Sequence, residues 1–267
     1  MNPQHVLWTL QELQAVFAGE TDVVSGGFTE AQGGIHRVTI DSRLVESGDL
    51  FVALAGDPGE RFTPSIRSTA DGHDYVADAA SKGASAALVS RPQSAAIPQF
   101  QVQDTYEGLW MLGAAARRRI NGPVIAVTGS SGKTTAKTFL SAALGAYAPP
   151  GSLNNHIGVP LSLANASRQA PAWVFEIGTS HRGEIAPLTK MVQPDLAILL
   201  NVHNAHIENF PSRTALIEEK TAIFSTLGSE EMRVVHDELN LPGHSFGQRF
   251  DSHARILGLE GDTLRLQ

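Results

Sequence analysis

Lys133 and Thr134 follow a run of small residues, Gly129, Ser130, Ser131 and Gly132, in the stretch TGSSGKTT that ends at Thr135. Small side chains let successive backbone N–H groups converge on one anion, and a lysine at the exit of such a turn sets an ammonium against phosphate oxygens. The hydroxyl one residue further on reaches a hard cation shared with those phosphates. Residues 129–135 therefore read as a nucleotide phosphate loop, with Lys133 on the β- and γ-phosphates and Thr134 on Mg²⁺. The strict Walker A spacing asks for a further glycine at position 127, where this chain has Val127.

Such a loop works only if a strand stops in front of it and a helix aims its N-terminus at the anion. The apolar run VIAVT (124–128) supplies the strand, and a helix over 132–147 follows. Beyond it come a loop at 149–160, a helix, the strand AWVFEIG (172–178), the helix GEIAPLTKMV (183–192), the strand DLAILLN (195–201), a helix over 212–227 and the strand MRVVH (232–236). This alternation predicts a doubly wound, mostly parallel sheet with its ligand at the carboxyl ends of the strands.

Glu176 ends one of those strands, where a carboxylate can hold a hard cation. His203 and His206 follow another; imidazole can complete a metal site, and either residue alone also reads as an ordinary loop histidine. Lys220 shares a helical stripe with Leu216, Ile223, Phe224 and Leu227, so it faces inward. A buried ammonium is costly and its pKa falls; the plainer alternative is a lysine whose stem covers apolar surface. Asn154, Asn155 and His156 lie on the Gly/Pro/Asn-rich loop, for which a simple turn is the alternative.

Upstream, residues 1–20 read as an amphipathic helix, followed by β-like HRVTI and DLFVALAG, a helix in DYVADAASKGA, β-like SAALVS and PQFQVQD, and the helix TYEGLWMLGAAARRRI. The NGP at 121–123 marks a boundary, giving domains at 1–122 and 123–267. Asp41, Ser42 and Arg43 follow a β-like run, and an arginine beside a hydroxyl suits an anionic or uridine-bearing ligand. The runs ARRR (116–119) and SEEMR (229–233) read as solvated faces. A net charge of −7 without a local Lys/Arg cluster argues against nucleic acid as partner. With no cysteine there is no thiolate nucleophile or disulfide, and no apolar run approaches the ~18 residues of a membrane span. A soluble cytoplasmic protein with a small-molecule partner is expected.

TGSSGKTT is similar to the nucleotide loop of the Mur ligases, a family that lacks the first Walker glycine. SLNNHIGVPLSL (152–163), FEIGTSHRGEI (175–185), NVHNAHIENF (201–210) and EEKTAIF (218–224) continue the resemblance, as do DSR (41–43) and GDLFVALAG (48–56); together they span roughly residues 35–267. The motifs look most like the branch that joins D-alanyl-D-alanine to UDP-N-acetylmuramoyl-tripeptide. The resemblance implies an ATP- and Mg²⁺-dependent amide ligase of peptidoglycan precursor synthesis, in which a carboxylate is activated as an acyl phosphate and attacked by an amine. It implies Mg²⁺ on Thr134, Glu176, His206 and a carbamylated Lys220, Asn154 and Asn155 positioning substrate and phosphate, and a small N-terminal α/β domain holding the UDP moiety through Asp41, Ser42 and Arg43. The chain stops before the motif resembling LPGxHNxxNALAA, so the family's C-terminal domain is expected to be absent. A separate protein partner supplying that domain, a related substrate in a specialised pathway, and a non-catalytic nucleotide- or UDP-sugar-binding module are the alternatives.

Overall fold

The computed structural model describes residues 6–18, 23–24, 34–56, 70–203, 207–260 and 263–266. The chain forms two compact units, one of residues 1–119 with 160–168 and the other of residues 120–159 with 169–267. The division thus falls at 119/120, and the sequence reading has no counterpart for the return of 160–168 to the first unit.

In the first unit, α1 (Leu10–Val16) begins at a reciprocal cap. The Thr9 hydroxyl accepts the Glu12 N–H while the Glu12 carboxylate accepts that of Thr9. The helix is shorter than the amphipathic pattern suggests, and residues 1–5, 19 and 20 lie outside the described residues. Strands β1 (Val23–Val24), β2 (Arg37–Thr39), β3 (Asp49–Val52), β4 (Ala86–Val89) and β5 (Gln99–Gln101) form one sheet in the order β1-β5-β4-β3-β2. All neighbours in it are parallel except β1 with β5. Helix α2 (Val76–Ser81) lies in the crossover between the parallel strands β3 and β4, and α3 (Thr105–Arg118) follows β5, the last strand of the sheet in chain order. Asp104 caps α3, its carboxylate accepting the N–H groups of Tyr106 and Glu107.

The returning segment closes this unit. Trp8 is 1% exposed and its indole N–H donates to the Ala164 carbonyl at 2.9 Å. Asn165 pairs with both the N–H and the C=O of Val38 at 2.8 Å, so a side chain covers the free edge of β2. Arg119 is not on a solvated face. Its guanidinium lies 3.3 Å from the Trp8 ring centroid and 3.6 Å from Glu12, and burial together with nearby Arg168 pushes it down to about 10, against the pull of Glu12.

The second unit holds β6 (Val124–Thr128), α4 (Lys133–Leu144), β7 (Trp173–Glu176), α6 (Ile185–Val192), β8 (Leu196–Leu199), α7 (Arg213–Thr221), β9 (Arg233–His236), β10 (His244–Gly247), β11 (Ala254–Glu260) and β12 (Thr263–Leu266), while α5 (Gly158–Ala164) straddles the division. Its sheet runs β12-β11-β10-β9-β8-β6-β7, parallel except for β12 on β11. The first strand, β6, is flanked by β7 on one side and β8 on the other, so the chain reverses direction across the sheet at β6/β8. That is the switch point where doubly wound sheets bind ligands.

Val127 answers the missing glycine. It is fully buried in β6 and packs in one cluster with Ile125, Val174 and Ile198, so the position serves the core. Two helices are shorter than their patterns. Helix α4 ends at Gly145, which takes φ +61, a left-handed conformation that favours glycine. Helix α7 ends at Thr221, whose hydroxyl donates back to the Glu218 carbonyl at 2.8 Å, and Ala222–Phe224 tightens into a 3-10 turn. Arg233 opens β9, partly buried over the Phe224 ring at 5.7 Å, rather than lying on an exposed run.

Replacing Trp8 with Ala removes the indole and leaves the Ala164 carbonyl without its donor, and is expected to cost about 3–5 kcal/mol. Urea unfolding followed by the fluorescence of the remaining tryptophans measures it; a loss below about 1 kcal/mol would contradict a closing role for this contact.

Candidate active site

Strands β6, β7 and β8 are in register, with Val127 opposite both Glu176 and Ile198. Their carboxyl ends therefore deliver three loops to one level. The loop after β6 is the one predicted to hold phosphate, residues 129–132. Gly132, at φ +80, makes the left-handed turn that starts α4, and no side chain caps that helix. Lys133 folds back, its Nζ donating to the Gly129 carbonyl at 2.8 Å. Burial lowers the pKa of this amine, with the Glu176 carboxylate pulling the other way.

Asn201, after β8, is a site residue that sequence reasoning missed. Its side-chain oxygen accepts the Ser131 N–H at 3.0 Å, its side-chain nitrogen donates to the Ser131 carbonyl at 3.2 Å, and its own carbonyl accepts the Ser130 N–H at 3.1 Å. His203 adds a backbone pair, its N–H donating to Ser130 Oγ at 2.9 Å while that hydroxyl donates to the His203 carbonyl at 3.2 Å. His206 lies outside the described residues.

Glu176, at the end of β7, is fully buried. Its Oε2 accepts the Thr134 hydroxyl at 2.9 Å, while Oε1 is buried with no partner among the described residues. A buried carboxylate oxygen left without a hydrogen bond, beside a hydroxyl on the phosphate-loop helix, fits a hard divalent cation. Thr135 is exposed on the same turn. Past Glu176, Gly178 donates its N–H to the Asn154 carbonyl at 2.7 Å, and a Cβ at Gly178 would meet the Asn154 carboxamide at 2.9 Å. This approach sets the 149–158 loop against the end of β7. Asn155 turns inward on its own chain, its side-chain oxygen accepting the N–H groups of Ile157 and Gly158 at the start of α5.

Lys220 is 2% exposed. Burial, reinforced by repulsion from Lys133 and opposed by Glu219, pushes the amine down to about 8. Its neighbour Glu219 has a different task that the sequence did not announce. The Glu219 carboxylate accepts the N–H groups of Gly183 and Ile185 at 2.7 and 2.9 Å, fixing the start of α6. In the first unit, Asp41 caps the 3-10 turn Ser42–Leu44 and pairs with Arg43 through two nitrogens at 2.9 and 2.7 Å. The Arg43 side chain is 85% exposed and Ser42 is buried, while Lys82 holds the Ser42 carbonyl at 2.9 Å. Asp71, His73 and Ser90 line up as acid, imidazole and hydroxyl, but His73 Nε2 accepts the Ser90 N–H at 2.8 Å, so the imidazole ties the 3-10 turn Gly72–Tyr75 to the end of β4 rather than activating a nucleophile.

A strand, a left-handed glycine, a lysine and a hydroxyl beside a buried carboxylate stand together at the switch point of a parallel sheet, an arrangement suited to holding phosphate. The model of the Mur ligase middle domain matches residues 127–249, and that of the Mur ligase family catalytic domain matches residues 34–109; the chain belongs to the Mur ligase family. It is 36% identical over 224 residues to the UDP-N-acetylmuramoyl-tripeptide--D-alanyl-D-alanine ligase of Escherichia coli K12, covering 82% of this chain and 47% of the relative. To the enzyme of the same name from Bacillus subtilis it is 35% identical over 202 residues, 72% of this chain and 41% of the relative. Among solved structures, MurF from Acinetobacter baumannii aligns with a TM-score of 0.75 at 33% identity, over 95% of this chain and 56% of that one. MurF from Thermotoga maritima in complex with ADP aligns with a TM-score of 0.67 at 32% identity, over 83% and 52%. The chain spans about half the length of the curated relatives it matches. No helix among the described residues is long and apolar enough to cross a membrane.

The buried amine of Lys220 carries a pH signature. In the unfolded chain it keeps its ordinary value of 10.5, so between about 8 and 10.5 the unfolded state binds more protons and stability rises with pH. Lys220→Met is expected to raise the urea midpoint at pH 7 in carbon dioxide-free buffer, with an advantage over wild type that shrinks as the pH passes from 8 to 10. A pH-independent difference would refute a buried ammonium.

Proposed function

We propose that the chain provides the nucleotide and muramoyl-peptide sites of an ATP-dependent amide ligase acting in peptidoglycan precursor synthesis. The observation that carries this reading is the placement of Thr134 on Glu176, with Glu176 Oε1 unsatisfied. A nucleotide loop alone would serve any phosphate binder; a buried acceptor poised beside it suits phosphoryl transfer between two anions. The named activity of the relatives supplies the substrate class: a UDP-muramoyl-peptide carboxylate and D-alanyl-D-alanine or a related amine.

In this reading a carboxylate oxygen of the peptide attacks the γ-phosphorus of ATP, the bond to the β,γ-bridging oxygen breaks, and ADP leaves an acyl phosphate. The amine then attacks the acyl carbon, inorganic phosphate departs with the C–O bond electrons, and the nitrogen loses a proton as the amide forms. Lys133 leaves the Gly129 carbonyl for the β- and γ-phosphate oxygens and neutralises charge as the phosphoryl moves. Thr134 and Glu176 would hold Mg²⁺, with His206 and a carbamylated Lys220 as further ligands; when bound, the cation supplies charge neutralisation at the phosphate oxygens. Burial favours the neutral amine of Lys220, the form that adds to carbon dioxide. In the same reading Asp41 and Arg43 would hold the uridine diphosphate moiety and Asn154 and Asn155 would position peptide and phosphate, the Asn155 contribution coming from its carboxamide nitrogen because its oxygen caps α5.

Phosphate release from ATP with Mg²⁺, UDP-N-acetylmuramoyl-tripeptide and D-alanyl-D-alanine tests the proposal. Release is expected to require both substrates and to fall at least about 100-fold in Lys133→Ala, which loses the charge on the transferring group. Nucleotide binding without release would assign the chain to the binding-module reading, and a separate protein carrying the rest of the site would be sought. Unchanged nucleotide affinity in Lys133→Ala would remove the phosphate-loop assignment.

A further inference from the structure

Lys137 lies one helical turn beyond Lys133 on α4 and is only 2% exposed, yet the phosphoryl chemistry above makes no use of it. Its Nζ donates to the carbonyls of Pro149 at 2.7 Å and Gly151 at 2.5 Å, and stands 3.9 Å from Glu176 Oε2. Two carbonyls and a nearby carboxylate are the kind of surroundings that offset the desolvation of a buried ammonium. Here they come from separate stretches: the turn after α4 and the end of β7.

The 149–151 turn runs directly into the segment that carries Asn154 and Asn155. The far end of that segment is fixed twice, by the Asn154 carbonyl on the Gly178 N–H and by the Asn155 cap on α5. Its near end is fixed by Lys137. The lysine thereby joins the helix that bears the phosphate loop to the loop that bears the two carboxamides, and it does so beside the carboxylate of Glu176.

We propose that Lys137 is a positioning residue: by pinning residues 149–151 to α4 it sets where Asn154 and Asn155 stand relative to the phosphate loop, and so governs muramoyl-peptide binding rather than nucleotide binding. This deepens the ligase reading and rests on it. A lysine suits the task because one tetrahedral ammonium can meet carbonyls from two residues of a tight turn, whereas a planar guanidinium presents its donors in a fixed fork.

The test compares wild type with Lys137→Met by hydrogen exchange and by calorimetric titration with MgADP and, separately, with UDP-N-acetylmuramoyl-tripeptide in the presence of a non-hydrolysable ATP analogue. Amides of 149–155 are expected to exchange about tenfold faster while those of β6 and β8 keep their protection. MgADP affinity is expected to stay within about threefold, and muramoyl-peptide affinity to fall about tenfold, the equivalent of one or two lost hydrogen bonds. Unchanged exchange at 149–155, unchanged muramoyl-peptide affinity, or a uniform rise of exchange throughout the unit would each overturn the proposal. If Lys137→Met does not fold, Lys137→Arg keeps the charge but not the single-point geometry and carries the same comparison. A wild-type chain that binds no MgADP or no muramoyl-peptide would refute the ligase reading itself, and the exchange arm would still decide whether Lys137 holds the loop.

Discussion

The hydrogen bonds from Asn201 to the 130–131 backbone are the constraint on which the site depends. Each is worth about 1 kcal/mol net, but together they join the loops on either side of the β6/β8 switch point. A turn of two serines between two glycines has many accessible shapes. Asn201 selects one of them from outside, and the left-handed Gly132 then aims α4. The parallel register of β6 with β7 and β8 does the rest, because it brings Thr134 within a hydrogen bond of Glu176.

Charge is arranged around the same point with a surplus of cations. Lys133 and Lys137 gather near one buried carboxylate, Glu176, and Lys220 lies close enough to Lys133 to be repelled by it, while Glu219 is committed to backbone amides. The repulsion between Lys220 and Lys133 lowers the amine of Lys220 further than burial alone. A polyanionic nucleotide relieves that surplus, so the electrostatics of the protein and of such a ligand are complementary.

Much of this was legible in the sequence, because periodicity and turn chemistry act locally. The alternation from 123 to 236 predicts each strand from β6 to β9, and the stripe through Leu216 and Ile223 places Lys220 inside, where the structure has it. The misses share a different cause. Asn201, Glu219 and Lys137 matter through partners 70, 34 to 36, and 12 to 14 residues away, and a local pattern carries no information about such pairings. Lys137 offered one faint signal, its i+4 spacing from Lys133 on the same helix. Arg119 read as solvated because its neighbours in sequence are charged, whereas its neighbours in space are Trp8 and Glu12. Strands β10 to β12 were not anticipated, since glycine and charged residues interrupt their alternation.

The Asn165 side chain, paired with the backbone of Val38, has a consequence for the order in which the protein is made. On the ribosome the sheet of the first unit emerges in full by residue 101, but the edge of β2 stays bare and the Trp8 indole unbonded until residues 164 and 165 follow. By then β6, the phosphate loop and α4 have already been synthesised. The first unit to begin folding is therefore unable to finish before part of the second exists, and a nascent chain paused between the two presents an open strand edge to its surroundings.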